Sequence, residues 1–144
     1  SHAHLRELIE KKPLLIKPND DELADIFGEA IESRADAVAA LGRLHERGAQ
    51  NVLLTLGGDG AYFSNGEHVW HASAAEKDSI LSTACAGDAT LASFLSLWLA
   101  DRGAVEPALT RAMATGANVT MCAGLGDFAR VDELAKTVHV KQVA

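Results

Sequence analysis

A short apolar run near the middle of the chain constrains the fold more than any other feature. It reads Val52-Leu53-Leu54-Thr55-Leu56 and follows a helical pattern over residues 35–47, with Gly48 placed to end that helix. Apolar runs of this length are typical of strands that are buried on both faces, and such strands occur mainly in parallel sheets. The run therefore predicts an α/β fold with a mostly parallel sheet.

The rest of the chain alternates between helical and extended patterns. The helix at 35–47 has a predicted inner stripe of Ala35, Val38, Ala39, Leu41 and Leu44. Apolar spacing predicts further helices at 5–12, 22–28, 89–100, 106–123 (closed by Gly124) and 131–136. Asn65-Gly66 predicts a hairpin between strands 61–64 and 68–71, and residues 138–143 are expected to add an edge strand. Small residues in the helices at 89–100 and 106–123 predict close packing between these two.

Composition narrows the class of protein. The 144 residues, 48% of them hydrophobic, predict one domain over 1–144. The net charge of −7 makes nucleic acid or an anionic membrane a poor partner. The two cysteines form no disulfide framework, no signal peptide is recognisable, and the longest apolar run (89–100) is too short to span a bilayer. We therefore expect a cytoplasmic protein.

Asp88 stands where a loop of small residues enters the helix at 89–100. Asp at the start of a helix is most often a cap or a charge partner for the helix dipole. However, Ala86 and Gly87 leave the backbone N–H groups open, and a helix start binds anions such as phosphate. A carboxylate beside a bound phosphoryl group is placed to accept a proton from an attacking hydroxyl. Both readings stay open at this point.

A glycine-rich segment, Gly57-Gly58-Asp59-Gly60, directly follows the buried strand. Ligands of open α/β sheets bind at the carboxyl ends of strands, and glycines let backbone approach a ligand closely. The alternative is a tight turn with no further role. The spacing matches neither a dinucleotide fingerprint nor a phosphate-binding P-loop.

Two further positions carry polar groups that suit a ligand. Asn19 and Glu22 have the spacing of a helix N-terminus, but residues three apart also share one face and provide oxygen atoms that suit magnesium, usually through water. Asn118 lies in an otherwise apolar helical segment, where either a structural hydrogen bond or a ligand would satisfy its amide.

Three motifs together resemble the ribokinase-like (PfkB) carbohydrate kinases. Residues 82–89, S-T-A-C-A-G-D-A, are similar to the family's second signature; residues 17–23, K-P-N-D-D-E-L, resemble a stretch of its 1-phosphofructokinase and tagatose-6-phosphate kinase branch; residues 55–61, T-L-G-G-D-G-A, resemble its nucleotide loop. The resemblance covers nearly all of this chain and the carboxyl-terminal half of the family's usual length. It implies a three-layer α/β/α fold.

The resemblance also implies a role for each motif. Asp88 would be the catalytic base that deprotonates a sugar hydroxyl, and the backbone of Cys85, Ala86 and Gly87 would form the anion hole for the γ-phosphate. Asn19 and Glu22 would organise Mg²⁺. ATP would be held by Thr55, Gly57, Gly58, Asp59, Gly60 and Gly87, with Asn118 near the adenine.

The implied activity is ATP-dependent phosphorylation of a sugar phosphate, of the type that converts fructose 1-phosphate to fructose 1,6-bisphosphate. Tagatose-6-phosphate kinase or another sugar kinase is the alternative within the family, and a non-catalytic nucleotide-binding module is the alternative outside it. One departure is Cys85, which stands where the family has glycine. By themselves the 144 residues are expected to be inactive, and the resemblance allows a homodimer in the full-length protein.

Overall fold

The computed structural model describes residues 2–75, 86–121 and 130–144. The elements in chain order are α1 (His2–Ile9), α2 (Asp20–Phe27), α3 (Arg34–Arg47), β1 (Val52–Thr55), a 3₁₀ turn (Gly57–Asp59), β2 (Ala61–Ser64), β3 (Val69–Ala72), α4 (Ala86–Trp98), α5 (Val105–Thr120), α6 (Val131–Ala135) and β4 (Val140–Gln142). The chain divides by its contacts into two compact units. The first comprises Ser1–Leu56, Ala61–Trp70 and Gln142–Ala144, and the second comprises Gly57–Gly60 and His71–Lys141.

The four strands form one sheet in the order β1-β2-β3-β4. β1 pairs antiparallel with β2, with Val52 opposite Ser64 and Thr55 opposite Ala61. Only the five residues 56–60 join these strands, too few for a parallel crossover, which needs about a dozen or more. Parallel pairing occurs at two isolated bridges, Ile16 with Val52 and Asn19 with Thr55. The α/β class is confirmed, whereas a mostly parallel sheet is not confirmed by the strands described.

β1 is buried on both faces, as predicted. Val52 and Leu54 belong to the apolar cluster of the first unit, and Leu53, which points to the opposite face of the strand, is also fully buried. Helices α2 and α3 supply the cluster with Leu23, Ile26, Ala37, Ala40, Leu41 and Leu44. The hairpin and the edge strand are confirmed as well, because β2 and β3 are neighbours in the sheet and β4 lies at its edge.

The predicted stripe of α3 is wrong at two positions. Ala35 and Ala39 are exposed and Val38 is half-buried, whereas Ala37, Ala40, Leu41 and Leu44 are buried. One helix presents a single stripe to a core, and the two bulky leucines decide which stripe it is. Positions 37, 40, 41 and 44 have the spacing of that stripe, which leaves Ala35 and Ala39 facing solvent.

In the second unit, α4 packs against α5, which confirms the predicted contact between small-sided helices. α4 begins at Ala86, three residues earlier than predicted, and α5 ends at Thr120. Its predicted closing residue, Gly124, lies outside the described residues. At the other end of α4, Phe94 stacks on Trp98 with ring centroids 5.6 Å apart. Among the helices of the described ranges, none has the length and apolar character to cross a bilayer.

Candidate active site

Asp88 lies in the first turn of α4, as the helix's third residue. Its side chain is exposed, as is Gly87, and Ala86 is half-buried. Residues 86–88 are all helical, so Asp88 is not the N-cap, and its carboxylate belongs to the first described turn of α4. The first N–H groups of a helix have no intrahelical partner and carry partial positive charge, which stabilises a neighbouring anion. Cys85, the remaining residue predicted for the anion hole, lies outside the described residues.

The start of α4 is held against α5 by a close approach at Gly116. A Cβ at this position would collide with the Thr90 hydroxyl oxygen. That hydroxyl donates a hydrogen bond to the Ala86 carbonyl at 2.8 Å. One turn further along α4, the Thr115 hydroxyl donates to the Ser93 hydroxyl oxygen at 3.1 Å. The missing side chain at Gly116 therefore sets how closely the turn that carries Asp88 lies to α5.

Asn118 is buried in α5 without a partner for its amide nitrogen. The residue is 1% exposed, and its Nδ2 has no hydrogen-bond partner among the residues described. The helix is buried continuously around it, from Ala114 to Thr120. Leaving a buried donor unpaired costs about 1–3 kcal/mol, which a ligand acceptor would offset. Among the described residues no structural hydrogen bond satisfies Nδ2, and the ligand role stays a prediction.

The glycine-rich segment forms a single 3₁₀ turn closed by a hydrogen bond from the Gly60 N–H to the Gly57 carbonyl at 3.1 Å. Gly57 and Gly60 have φ angles of 56° and 87°, in the left-handed region that favours glycine. A Cβ on Gly60 would collide with the Ala72 carbonyl. Within the described ranges, the N–H groups of Gly58 and Asp59 make no hydrogen bond. Among the described residues these two N–H groups thus remain available as donors, and the nucleotide role of the turn stays a prediction.

Asn19 and Glu22 form a reciprocal capping box at the start of α2. The Asn19 side chain accepts a hydrogen bond from the Glu22 N–H at 2.8 Å, and Glu22 Oε2 accepts one from the Asn19 N–H at 3.0 Å. This arrangement fixes both side chains at the helix start. Glu22 Oε1 accepts no hydrogen bond within the described residues, so one carboxylate oxygen remains for a ligand. A group of three or more metal-ligating side chains is not found in the described part of the chain.

Thr55, the last residue of β1, lies next to Asn19 in the first unit. The two form a parallel bridge, and the Thr55 N–H donates to the Pro18 carbonyl at 3.1 Å. The end of a buried strand and the capped start of α2 are therefore adjacent. The second unit contains the remaining described site residues: Gly57, Gly58, Asp59, Gly60, Ala86, Gly87, Asp88 and Asn118.

Two residues that position these groups were not predicted from the sequence. Gly116 carried a weak signal, because glycine inside a helix weakens it and usually has a packing reason. His71 carried none. Its Nε2 lies 3.0 Å from the Asp59 carbonyl, a contact that depends on how β3 is aligned with the turn.

The comparisons with known proteins agree with these motifs. A family model described as pfkB family carbohydrate kinase matches residues 2–131. The chain is 50% identical over 143 residues to a D-tagatose-1-phosphate kinase of Klebsiella oxytoca, covering 99% of this chain and 46% of that protein. It is 32% identical over 139 residues to a 1-phosphofructokinase of Bacillus subtilis, covering 96% and 45% respectively.

The fold comparison gives the same result. The structure of Arabidopsis thaliana ribokinase with ribose and ATP superposes with a TM-score of 0.78 at 25% identity, over 91% of this chain and 43% of that one. The chain thus spans about half the length of the curated relatives it matches. Because the family model matches 130 of the 144 residues, the chain belongs to the pfkB family of carbohydrate kinases.

Proposed function

We propose that the full natural polypeptide carrying these residues phosphorylates a sugar phosphate hydroxyl with ATP. The observation that carries the proposal is the exposed Asp88 carboxylate in the first turn of α4, where it follows the small residues Ala86 and Gly87. Such a site combines a proton acceptor with donors for a phosphoryl group, the two elements that phosphoryl transfer needs.

In the proposed reaction the Asp88 carboxylate accepts the proton of the acceptor hydroxyl. The hydroxyl oxygen forms a bond to the γ-phosphorus as the bond from that phosphorus to the β,γ-bridging oxygen breaks, and ADP leaves with the electron pair. The N–H groups of Ala86 and Gly87, with that of Cys85, would stabilise the negative charge of the transferring group. Ala86 and Gly87 already belong to the first turn of α4 without a ligand, so their N–H groups would need little reorganisation.

We propose that residues of the 3₁₀ turn bind the nucleotide, together with Thr55, Gly87 and Asn118. The free N–H groups of Gly58 and Asp59 supply donors, the glycines at 57 and 60 permit close approach, and Gly87 and Thr55 complete the set. Asn118 is proposed to face the adenine because its unpaired Nδ2 is a buried donor in need of an acceptor. An adenine ring nitrogen would serve as that acceptor.

Asn19 and Glu22 fit a hydrated Mg²⁺ rather than one ligated directly by protein. The capping box uses Glu22 Oε2 and one acceptor site of Asn19 Oδ1, which leaves Oε1 to hold water on the ion. Mg²⁺ would neutralise charge on the ATP phosphates. The capping box keeps the Glu22 carboxylate in one orientation for that purpose.

We propose a ketohexose 1-phosphate as the acceptor. The two curated relatives described above are named for D-tagatose 1-phosphate and as a 1-phosphofructokinase, and both names place the existing phosphate on carbon 1. Because the chain is more similar to the Klebsiella relative, we consider D-tagatose 1-phosphate as good a candidate as fructose 1-phosphate. Tagatose 6-phosphate is less favoured, because neither name places the existing phosphate on carbon 6. The complete protein is proposed to have the three-layer α/β/α arrangement with a mostly parallel sheet, and these 144 residues alone are proposed to be inactive.

The test is Asp88→Asn in the full natural polypeptide, assayed for ADP formation with fructose 1-phosphate and with D-tagatose 1-phosphate. We expect kcat to fall by about 10²–10⁴-fold, the usual contribution of a general base, while the dissociation constant for ATP changes little. Glu106→Gln is the matched control, because Glu106 is an exposed acidic residue in the first turn of α5 and is not assigned to the site.

Unchanged turnover in Asp88→Asn, with ATP still bound, would refute the catalytic base. A full-length protein that binds ATP but phosphorylates neither sugar would favour the non-catalytic nucleotide-binding module. A preference of tenfold or more in kcat/KM between the two ketohexose phosphates identifies the substrate.

A further inference from the structure

The 3₁₀ turn has almost nothing of its own to hold it in place. Three of its four residues from Gly57 to Gly60 are glycines, and the Asp59 side chain is exposed. The segment has no apolar side chain of its own, and glycine loses more conformational freedom on ordering than any other residue. The hydrogen bond from the Gly60 N–H to the Gly57 carbonyl closes the turn but does not fix its orientation. Other contacts must therefore do so.

Strand β3 supplies two such contacts at consecutive residues. The backbone of Ala72 lies against Gly60 so closely that a Cβ on Gly60 would collide with the Ala72 carbonyl oxygen. The preceding residue, His71, places its Nε2 3.0 Å from the Asp59 carbonyl oxygen. A carbonyl oxygen only accepts, so Nε2 carries the hydrogen and the imidazole donates.

The bonded carbonyl belongs to the peptide group whose N–H closes the turn. The Asp59 carbonyl and the Gly60 N–H lie in one plane, because they are parts of the same peptide unit. His71 holds the oxygen of this unit while the Gly57 carbonyl holds its N–H at 3.1 Å. With both ends held, rotation of the peptide unit is suppressed, and the free N–H groups of Gly58 and Asp59 keep one direction.

We propose that His71 is a positioning residue for nucleotide binding: its Nε2–H clamps the Asp59 carbonyl and so orients the free donors of the turn. The nucleotide part of this inference rests on the proposed function, while the clamp itself concerns only the contacts within the second unit. His71 is not a catalytic residue, since it acts through the backbone of Asp59.

The experiment compares four substitutions in the full natural polypeptide. His71→Ala removes the donor, His71→Gln places an amide N–H near the position of Nε2, and His71→Asn carries the same amide one methylene shorter. His68→Ala is the matched control, because His68 is an exposed histidine beside β3 whose Nδ1 lies 3.1 Å from the Gln142 side-chain nitrogen. Two quantities are measured for each: the ATP dissociation constant by calorimetry, and the exchange rate of the Gly60 amide hydrogen by NMR without nucleotide.

We expect His71→Ala and His71→Asn to weaken ATP binding by about three- to tenfold, the factor for one net hydrogen bond, with KM for ATP raised and kcat unchanged. Gly60 amide exchange should accelerate by a similar factor. His71→Gln and His68→Ala should remain within about twofold of the parent protein in both measurements. The contrast between Gln and Asn separates the hydrogen bond from a general loss of packing.

Equal losses in His71→Gln and His71→Ala would overturn the proposal, as would ATP binding and amide exchange that stay unchanged in His71→Ala. Failure of the proposed function is distinguishable, because it appears as absent ATP binding by the parent protein. In that case the exchange measurement still decides: faster exchange in His71→Ala that His71→Gln restores supports the clamp, and unchanged exchange refutes it.

Discussion

Substituting Gly116 by alanine should destabilise the protein, although alanine is the better helix former. In a helix interior, Gly→Ala is worth about 0.5–1 kcal/mol in favour of folding. At Gly116 the new Cβ would collide with the buried Thr90 hydroxyl oxygen, so either Thr90 must leave its rotamer or α4 must move away from α5. Overpacking of this kind costs about 1–3 kcal/mol. The free-energy cost of the collision exceeds the gain in helix propensity, so we expect the free energy of unfolding to fall by about 0.5–2 kcal/mol.

Removing the Thr90 hydroxyl should reverse the sign of this effect. Once Oγ1 is absent, the nearest atoms to a Cβ at Gly116 are the Ala86 carbonyl oxygen and the Cβ at position 90, both at 3.6 Å. That distance is ordinary van der Waals contact. In a Thr90→Ala background, Gly116→Ala should therefore raise the free energy of unfolding by about 0.5–1 kcal/mol, which is the propensity term alone.

The measurement is a double-mutant cycle of Gly116→Ala and Thr90→Ala, in which circular dichroism monitors urea unfolding of each protein. We expect a coupling energy of about 1–3 kcal/mol with an unchanged denaturant slope. Gly42→Ala is the control, because Gly42 lies in α3 and a Cβ there meets nothing within 4 Å. It should stabilise the protein by about 0.5–1 kcal/mol whether residue 90 is Thr or Ala. Stabilisation by Gly116→Ala in the presence of Thr90, or equal losses in both backgrounds, would show that the contact does not fix the start of α4.

Three further predictions concern polar groups at the site. Asn118→Leu should raise the free energy of unfolding of the ligand-free protein by about 1–3 kcal/mol in urea, because it removes a buried donor that has no partner among the described residues. The same substitution should weaken ATP binding in calorimetry. A loss of stability would mean that the amide is satisfied in solution. Asn19→Ala should cost about 0.5–2 kcal/mol of stability through loss of the N-cap. Glu22→Gln should largely retain the cap while raising the Mg²⁺ concentration needed for half-maximal activity. Equal Mg²⁺ dependence in Glu22→Gln and the parent protein would argue against a metal role for Glu22.

Local signals in the sequence were sufficient where a single element decides the structure. The apolar run of β1 predicted a strand buried on both faces, and Asn19 at three residues before Glu22 predicted a helix start that proves to be a reciprocal capping box. Asn65-Gly66 likewise predicted the turn between β2 and β3, where the Asn65 side chain accepts hydrogen bonds from the N–H groups of Glu67 and His68. In each case the residues that determine the element lie within the element or within a few positions of it in the sequence.

Tertiary contacts account for what the sequence did not predict. The start of α4 was placed three residues too late, because Ala86 and Gly87 carry little local signal and the hydroxyl that bonds to Ala86 is itself fixed by the contact with Gly116. The stripe of α3 was misread because several alanines matched more than one register. The contact of His71 with the Asp59 carbonyl joins residues twelve positions apart and depends on strand alignment.

The groups assigned to chemistry and the groups that position them differ in exposure. Asp88, Gly58 and Asp59 are exposed, so their own side chains contribute little packing that would hold them in place. Their positions depend instead on Gly116, through Thr90 and the first turn of α4, and on His71, through one peptide unit. A collision at Gly116 displaces a helix and should affect both stability and turnover. The loss of His71 frees only a solvent-exposed turn, so it should change nucleotide affinity with little effect on the free energy of unfolding. Comparing stability with affinity in these two variants therefore tests whether helix packing at Gly116 positions the first turn of α4 and whether the hydrogen bond of His71 positions the 3₁₀ turn.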